Sequence, residues 1–151
     1  MIMIALASDH VGLELKKKLM GLLDEKGLTY HDYGTYTNER CDYPVYGSEA
    51  ARAVASGECE RGILICGTGI GISLSANKIH GIRCVVCSEP YSAKLSRQHN
   101  NTNMLALGAR VVGEDLARMI VSIWLETPYE GGRHQRRIDQ LTELEKKQKL
   151  D

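Results

Sequence analysis

The sequence carries no excess of either charge: 19 Lys and Arg balance 19 Asp and Glu, for a formal net charge of +0. A general nucleic-acid binder normally shows a basic surplus, so that class is not expected. No apolar run approaches the ~18 residues of a membrane span. The first run, residues 1–7, stops at Asp9-His10 and is too short for the core of a signal peptide with its flanks. Proline is scarce, with 3 in the chain, and the charged fraction of 25% is ordinary for a packed domain, which argues against disorder. No repeat, linker or low-complexity stretch divides the chain, so residues 1–151 read as a single domain, large enough to bury roughly 70% of its unfolded surface. The cysteines, Cys41, Cys59, Cys66, Cys84 and Cys87, are odd in number and form no regular framework. Reduced thiols in a cytoplasmic protein are the expectation.

What the chain does have is alternation. Short apolar runs at 1–7, 62–65, 82–86 and 104–107 read as strands buried on both faces, and 28–33 fits a further strand. Helical periodicity follows each of them, at 11–26, 45–56, 72–78, 90–98 and 114–125, and a last helix spans 133–149. This is the α/β pattern of a parallel sheet with helices on both sides. The final helix has a thin apolar stripe, Ile138, Leu141 and Leu144, and is expected to lean on something other than its own core. Trp124, on a helix too apolar for solvent, adds to an expectation of homodimerisation.

In open parallel sheets, ligands bind at the carboxyl ends of the strands. Asp9-His10, the segment from Cys66 to Gly71, Ser88-Glu89 and Gly108-Ala109-Arg110 therefore stand out. The strongest local signal is Cys66-Gly67-Thr68-Gly69-Ile70-Gly71. Glycines at alternate positions before a helix let amide groups converge into an anion-binding nest. The pattern is neither a Walker loop nor G-x-G-x-x-G, and it could also serve only the geometry of a strand-to-helix turn. A thiol at a helix N-terminus can become a usable thiolate, which singles out Cys66; Cys41 and Cys59 read as buried structural cysteines. Cys84 and Cys87 are spaced i, i+3, which in a strand puts them on opposite faces, unsuited to a shared metal or a disulfide. No local spacing offers a metal three or four ligands, so neither metal nor cofactor is expected.

Arg133-His134-Gln135-Arg136-Arg137 places cations in the first turn of a helix, against its dipole. Arg133 and Arg137 share a face and could clamp a phosphate, or simply form a solvated basic surface. His31 and His80 read as surface residues. His10 and His99 lie in polar runs near strand ends, but spacing alone does not promote His99. Tyr43-Pro44 could wall a pocket or shape a turn.

Together, Ser8-Asp9-His10-Val11-Gly12, Asp42-Tyr43-Pro44, the Cys66–Gly71 loop, Ser96-Arg97-Gln98-His99-Asn100, Gly108-Ala109-Arg110 and Tyr129-Glu130-Gly131-Gly132-Arg133-His134 resemble the ribose-5-phosphate isomerase B family. That family also holds allose-6-phosphate and galactose-6-phosphate isomerases. The resemblance implies a Rossmann-like three-layer α/β/α sandwich with a five-stranded parallel sheet and a C-terminal helix. It implies a homodimer with shared active sites, in which His99 and the arginines of one subunit meet Cys66 of the other. The implied reaction converts D-ribose 5-phosphate to D-ribulose 5-phosphate without metal, through a cis-enediol(ate). By the same resemblance Cys66 is the base, and Gly67, Thr68, Gly69, Ile70 and Gly71 hold the enediolate oxygens. His99 opens the sugar ring, with Asp9 near its hydroxyls. His10, Arg133 and Arg137 take the phosphate, and Tyr43, Asn100 and Arg110 complete the pocket. The chain departs from the family pattern at Asn101, where many members have Asp, and at Ser75, where some carry a glutamate base. A hexose-6-phosphate isomerase, or a non-catalytic sugar-phosphate-binding module, are the alternatives.

Overall fold

A computed structural model describes residues 2–148. Five strands, β1 (Met3–Ser8), β2 (Thr29–Asp32), β3 (Arg61–Cys66), β4 (Cys84–Val86) and β5 (Met104–Gly108), form one sheet in the order β2-β1-β3-β5-β4. Every neighbouring pair is parallel. The helices are α1 (Leu13–Glu25), α2 (Tyr43–Ala55), α3 (Ile70–Asn77), α4 (Pro90–Asn100), α5 (Glu114–Glu126) and α6 (Arg133–Lys147). Residue 1 of the expected first strand and residue 149 of the expected last helix lie outside the described residues.

Two apolar cores face away from the sheet. On one side Leu15, Leu19 and Leu23 of α1 meet Ile120, Val121 and Trp124 of α5, with Ala93 of α4 beside them. On the other, Ala50, Ala51 and Val54 of α2 meet Ile72 and Ala76 of α3. The result is the expected three-layer α/β/α sandwich. The central strands are buried on both faces, as their unbroken apolar runs require. The edge strands β2 and β4 are not; they are only partly covered. Cys84 belongs to the α2–α3 side and Cys87 to the α1–α5 side, as i, i+3 spacing in a strand demands. No helix among the described residues is long and apolar enough to cross a membrane.

Several local readings are corrected. Trp124 is completely buried by its own chain, its Nε1 donating to Thr102 Oγ1 at 2.9 Å and its ring 5.5 Å from the Arg61 guanidinium. It gives no support to a dimer. Cys41 is half-buried rather than core. Lys16 sits among lysines that face solvent, yet its side chain is wholly buried, donating to Asp32 Oδ1 at 2.7 Å and to the Thr35 carbonyl at 2.6 Å. Burial pushes its ammonium below the ordinary lysine value, and Asp32 opposes that shift. This pair pins the loop after β2, from which the chain leads on to α2. On α6, Ile138 is buried within the chain, while Leu141 and Leu144 are 49% and 60% exposed.

Candidate active site

The carboxyl edge of the sheet gathers the first group of residues. β1 delivers Asp9, which is buried and accepts the Gly12 N–H at 3.0 Å through Oδ1. Gly12 is required there: a Cβ would fall 2.5 Å from the Ile65 carbonyl oxygen. His10 Nδ1 accepts the Cys41 N–H at 3.2 Å. That bond leaves Nε2 as the nitrogen carrying the proton, so the ring presents a donor on its other side.

β3 delivers Cys66. Its sulfur accepts the Gly69 N–H at 3.2 Å, and Thr68 Oγ1 accepts the Ile70 N–H at 3.2 Å. Two of the amides that the glycine pattern offers to an anion are thus turned on the side chains of the loop itself. The loop makes this turn because Gly69 adopts φ 80°, a left-handed conformation that costs glycine little. It runs tightly over β5: a Cβ at Gly108 would meet the Thr68 carbonyl carbon and oxygen at 2.7 Å. Ala109 and Arg110 return their N–H groups to the Cys66 and Gly67 carbonyls at 2.8 and 3.0 Å. The Arg110 guanidinium therefore lies beside the loop, with Nη1 3.9 Å from where a Gly67 Cβ would be. Tyr43, the first residue of α2, lays its ring against Gly71, so it walls the site. Ile70 and Thr68 are exposed at the mouth. Ser75, inside α3, donates to the Gly71 carbonyl at 3.0 Å.

The second group lies at the opposite edge. α4 leaves the carboxyl end of β4 and runs back for 11 residues, about 16 Å. His99 and Asn100, at its far end, therefore sit near the amino ends of β4 and β5. There Asn101 turns the chain at φ 45°. The buried Arg97 locks this corner, donating to Asn101 Oδ1 at 2.9 Å, to the Thr127 carbonyl at 3.4 Å and to the Thr102 carbonyl. Burial, with Arg61 and Arg83 adding, lowers the Arg97 guanidinium to about 10. Glu130 N–H donates to the Gln98 carbonyl at 3.1 Å and draws the loop before α6 onto this corner.

As a result His99 and His134 stack ring on ring, 4.3 Å between centroids and 16° between planes. His99, Asn100, Arg133, His134 and Arg137 line a pocket of about 360 Å³. Arg137 donates to the Arg133 carbonyl at 3.1 Å and keeps its other guanidinium donors for the pocket. Two arginines and two imidazoles in one concavity suit an anion with several oxygens. His134 is the residue to which sequence reasoning gave no role; it stood in the Arg133-His134 motif, but only the fold brings it to His99. A larger cavity, about 480 Å³, lies where α6 leans on the β4 edge, and it does not include the Cys66 group.

One chain thus brings Asp9, His10, Tyr43, the Cys66–Gly71 loop and Arg110 together. It holds His99, Asn100, Arg133 and Arg137 apart from them, at the other end of the sheet.

Comparison with known proteins gives the chain a family. The family model described as Ribose/Galactose Isomerase matches residues 4–141. Ribose-5-phosphate isomerase B of Escherichia coli is 59% identical over 144 residues, 95% of this chain and 97% of that protein. The structure of Clostridium thermocellum ribose-5-phosphate isomerase B superposes with a TM-score of 0.96 at 51% identity, covering 97% of this chain and 99% of the other. That of ribose-5-phosphate isomerase B from Mycoplasma genitalium, with bound ribulose 5-phosphate, superposes with a TM-score of 0.93 at 40% identity, covering 97% and 98%.

Proposed function

Because the chain belongs to the ribose/galactose isomerase family, we propose that it interconverts D-ribose 5-phosphate and D-ribulose 5-phosphate through a cis-enediol(ate), without metal, with Cys66 as the base. The protein is a sugar-phosphate isomerase; the pentose substrate rests on the identity to E. coli ribose-5-phosphate isomerase B and on the Mycoplasma protein that holds ribulose 5-phosphate. The observation that carries the mechanism is the Gly69 amide aimed at the Cys66 sulfur. That amide is a donor placed at the sulfur that is to take the proton, and the thiolate is the form able to abstract it.

His99 donates its proton to the furanose ring oxygen as the bond from C1 to that oxygen breaks, and the C1 hydroxyl gives up its proton to solvent, releasing the open-chain aldehyde. The Cys66 thiolate takes the proton from C2, and the electron pair moves to O1, giving the enediolate. Thr68 and the amides of residues 67–71 stabilise the charge on the oxygens. The Cys66 thiol returns the proton to C1 while the O2 proton passes to O1, so that O2 becomes the ketose carbonyl and O1 the hydroxyl. Asp9, with Oδ1 engaged by Gly12, has Oδ2 left for a sugar hydroxyl. His10, through Nε2–H, and Arg133 and Arg137 hold the phosphate; Tyr43, Asn100 and Arg110 close the pocket.

The two edges of the sheet cannot meet across the length of α4. The reading therefore includes a homodimer in which the His99–Arg137 group of one subunit completes the Cys66 group of the other. The unpaired thiols are consistent with the cytoplasm. The test is a panel of five- and six-carbon aldose phosphates. Turnover of ribose 5-phosphate at least equal to that of allose or galactose 6-phosphate is expected; a clear preference for a hexose phosphate would reassign the substrate.

A further inference from the structure

Among the described residues, one cluster of side chains, built around His99, has the donor set of a metal site. His99, Glu130 and His134 each present a ligand atom, and these atoms all lie within 4.8 Å of one another. We propose that they bind a borderline divalent transition ion, zinc in the first place, and that the bound ion switches the isomerase off by occupying His99.

The chemistry selects the ion class. Two imidazoles and one carboxylate suit zinc, cobalt or nickel, whereas calcium and magnesium require a cage of oxygens. The stacked rings set their edges side by side. His134 Nε2 already faces Glu130 Oε2 at 3.5 Å, so an ion between them would be held by both. Metal–nitrogen bonds of roughly 2.0–2.1 Å bring tetrahedral ligands closer than they now stand. Only side-chain rotation is needed, because the backbone is already held: Glu130 N–H is tied to Gln98, and Arg97 locks the end of α4. Three protein ligands leave a position open for water or for a phosphate oxygen, beside Arg133 and Arg137. Those two cations also oppose a dication, so the site is suited to reversible occupancy and not to a permanent structural ion.

Binding stands on the geometry alone; inhibition rests on the assigned role of His99. A ring nitrogen whose lone pair is given to a metal can neither carry nor donate a proton at that atom.

The experiment titrates the chelator-treated full-length protein with zinc by calorimetry, and with cobalt(II) by its visible d–d absorption. The parent is compared with His134→Ala, Glu130→Gln and Cys66→Ala. Glu130 is half-exposed, so Glu130→Gln keeps the fold and serves even where His134→Ala does not. The expected result is one ion per chain. Affinity should fall at least about tenfold in His134→Ala and in Glu130→Gln, stay unchanged in Cys66→Ala, and parental turnover should decline in step with zinc occupancy. Absence of binding at millimolar zinc, or binding that depends on Cys66 and not on Glu130 or His134, would overturn the site. Zinc bound here without slowing turnover would overturn the switch. A metal-free parent inactive on every aldose phosphate would instead count against the assigned reaction, and the binding result would stand.

Discussion

The Gly69 amide addresses the Cys66 sulfur from 3.2 Å, at the first turn of α3. If that sulfur is the base, Cys66→Ala lowers kcat by about 10² to 10⁴, the usual range for a positioned acid or base. KM should change little, because the loop and the arginines are untouched. Cys66→Ser should be nearly as damaged, since a hydroxyl offers no anion at neutral pH where a thiol does. Exchange of the substrate C2 proton with solvent deuterium is the direct measurement. Exchange at the parental rate in Cys66→Ala would mean that another residue is the base.

Three of the other thiols lie where burial disfavours their charged form. Burial pushes the Cys59 and Cys84 thiols up, and it raises the Cys87 thiol to about 12. A raised thiol holds less thiolate at any given pH, so these three should react slowly from neutral to mildly alkaline conditions. Iodoacetamide should label Cys66 ahead of them, and ribose 5-phosphate should slow that labelling alone. Peptide mass spectrometry over a time course reads the order; equal rates at Cys66 and Cys87 would remove the special character argued for Cys66.

The phosphate clamp makes a separate prediction. Arg137→Ala removes a charge-assisted bond worth roughly 1.5–3 kcal/mol, which corresponds to about 10- to 100-fold in binding. KM should rise by that order, and kcat should fall as well, because phosphate binding helps to orient the reacting carbons. Inorganic phosphate should inhibit the variant less than the parent. Equal inhibition of both would place the arginine outside the site.

Much of this was legible in the sequence, and the limits have physical causes. The carboxyl-edge residues, from Asp9 to Arg110, could be found because a parallel sheet exposes its loops in a fixed place. Cys84 in β4 and Cys87 just past its end revealed the two faces of the sheet through a period of two. His99 could not be placed by that rule, since it sits at the end of a returning helix, at the amino edge. His134 was hidden for a related reason: its partner is distant in sequence, and the packing of α6 on α4, with the Glu130–Gln98 backbone bond, is what joins the two rings. Trp124 was misjudged, and the burial of Lys16 was not foreseen, because burial within the chain depends on partners, Thr102 and Asp32, that no local pattern names.

The separation of the two groups leads to the sharpest test of assembly. In a Cys66→Ala homodimer both sites lack the base, and in a His99→Ala homodimer both lack the acid. Subunit exchange between them forms a hybrid. If each site takes Cys66 from one chain and His99 from the other, one site of the hybrid combines both alanines, and the second combines the intact Cys66 and the intact His99. Random exchange in equal amounts then makes half the dimers hybrids with one working site each, so activity should recover to about one quarter of the parental value. Sites built within single chains would give no recovery, because every chain in the mixture carries one lesion. Activity is read after denaturant-assisted exchange, with each variant taken alone through the same treatment as the control. No recovery despite hybrids seen by native mass spectrometry, or a fully active monomer in light scattering, would refute the shared site.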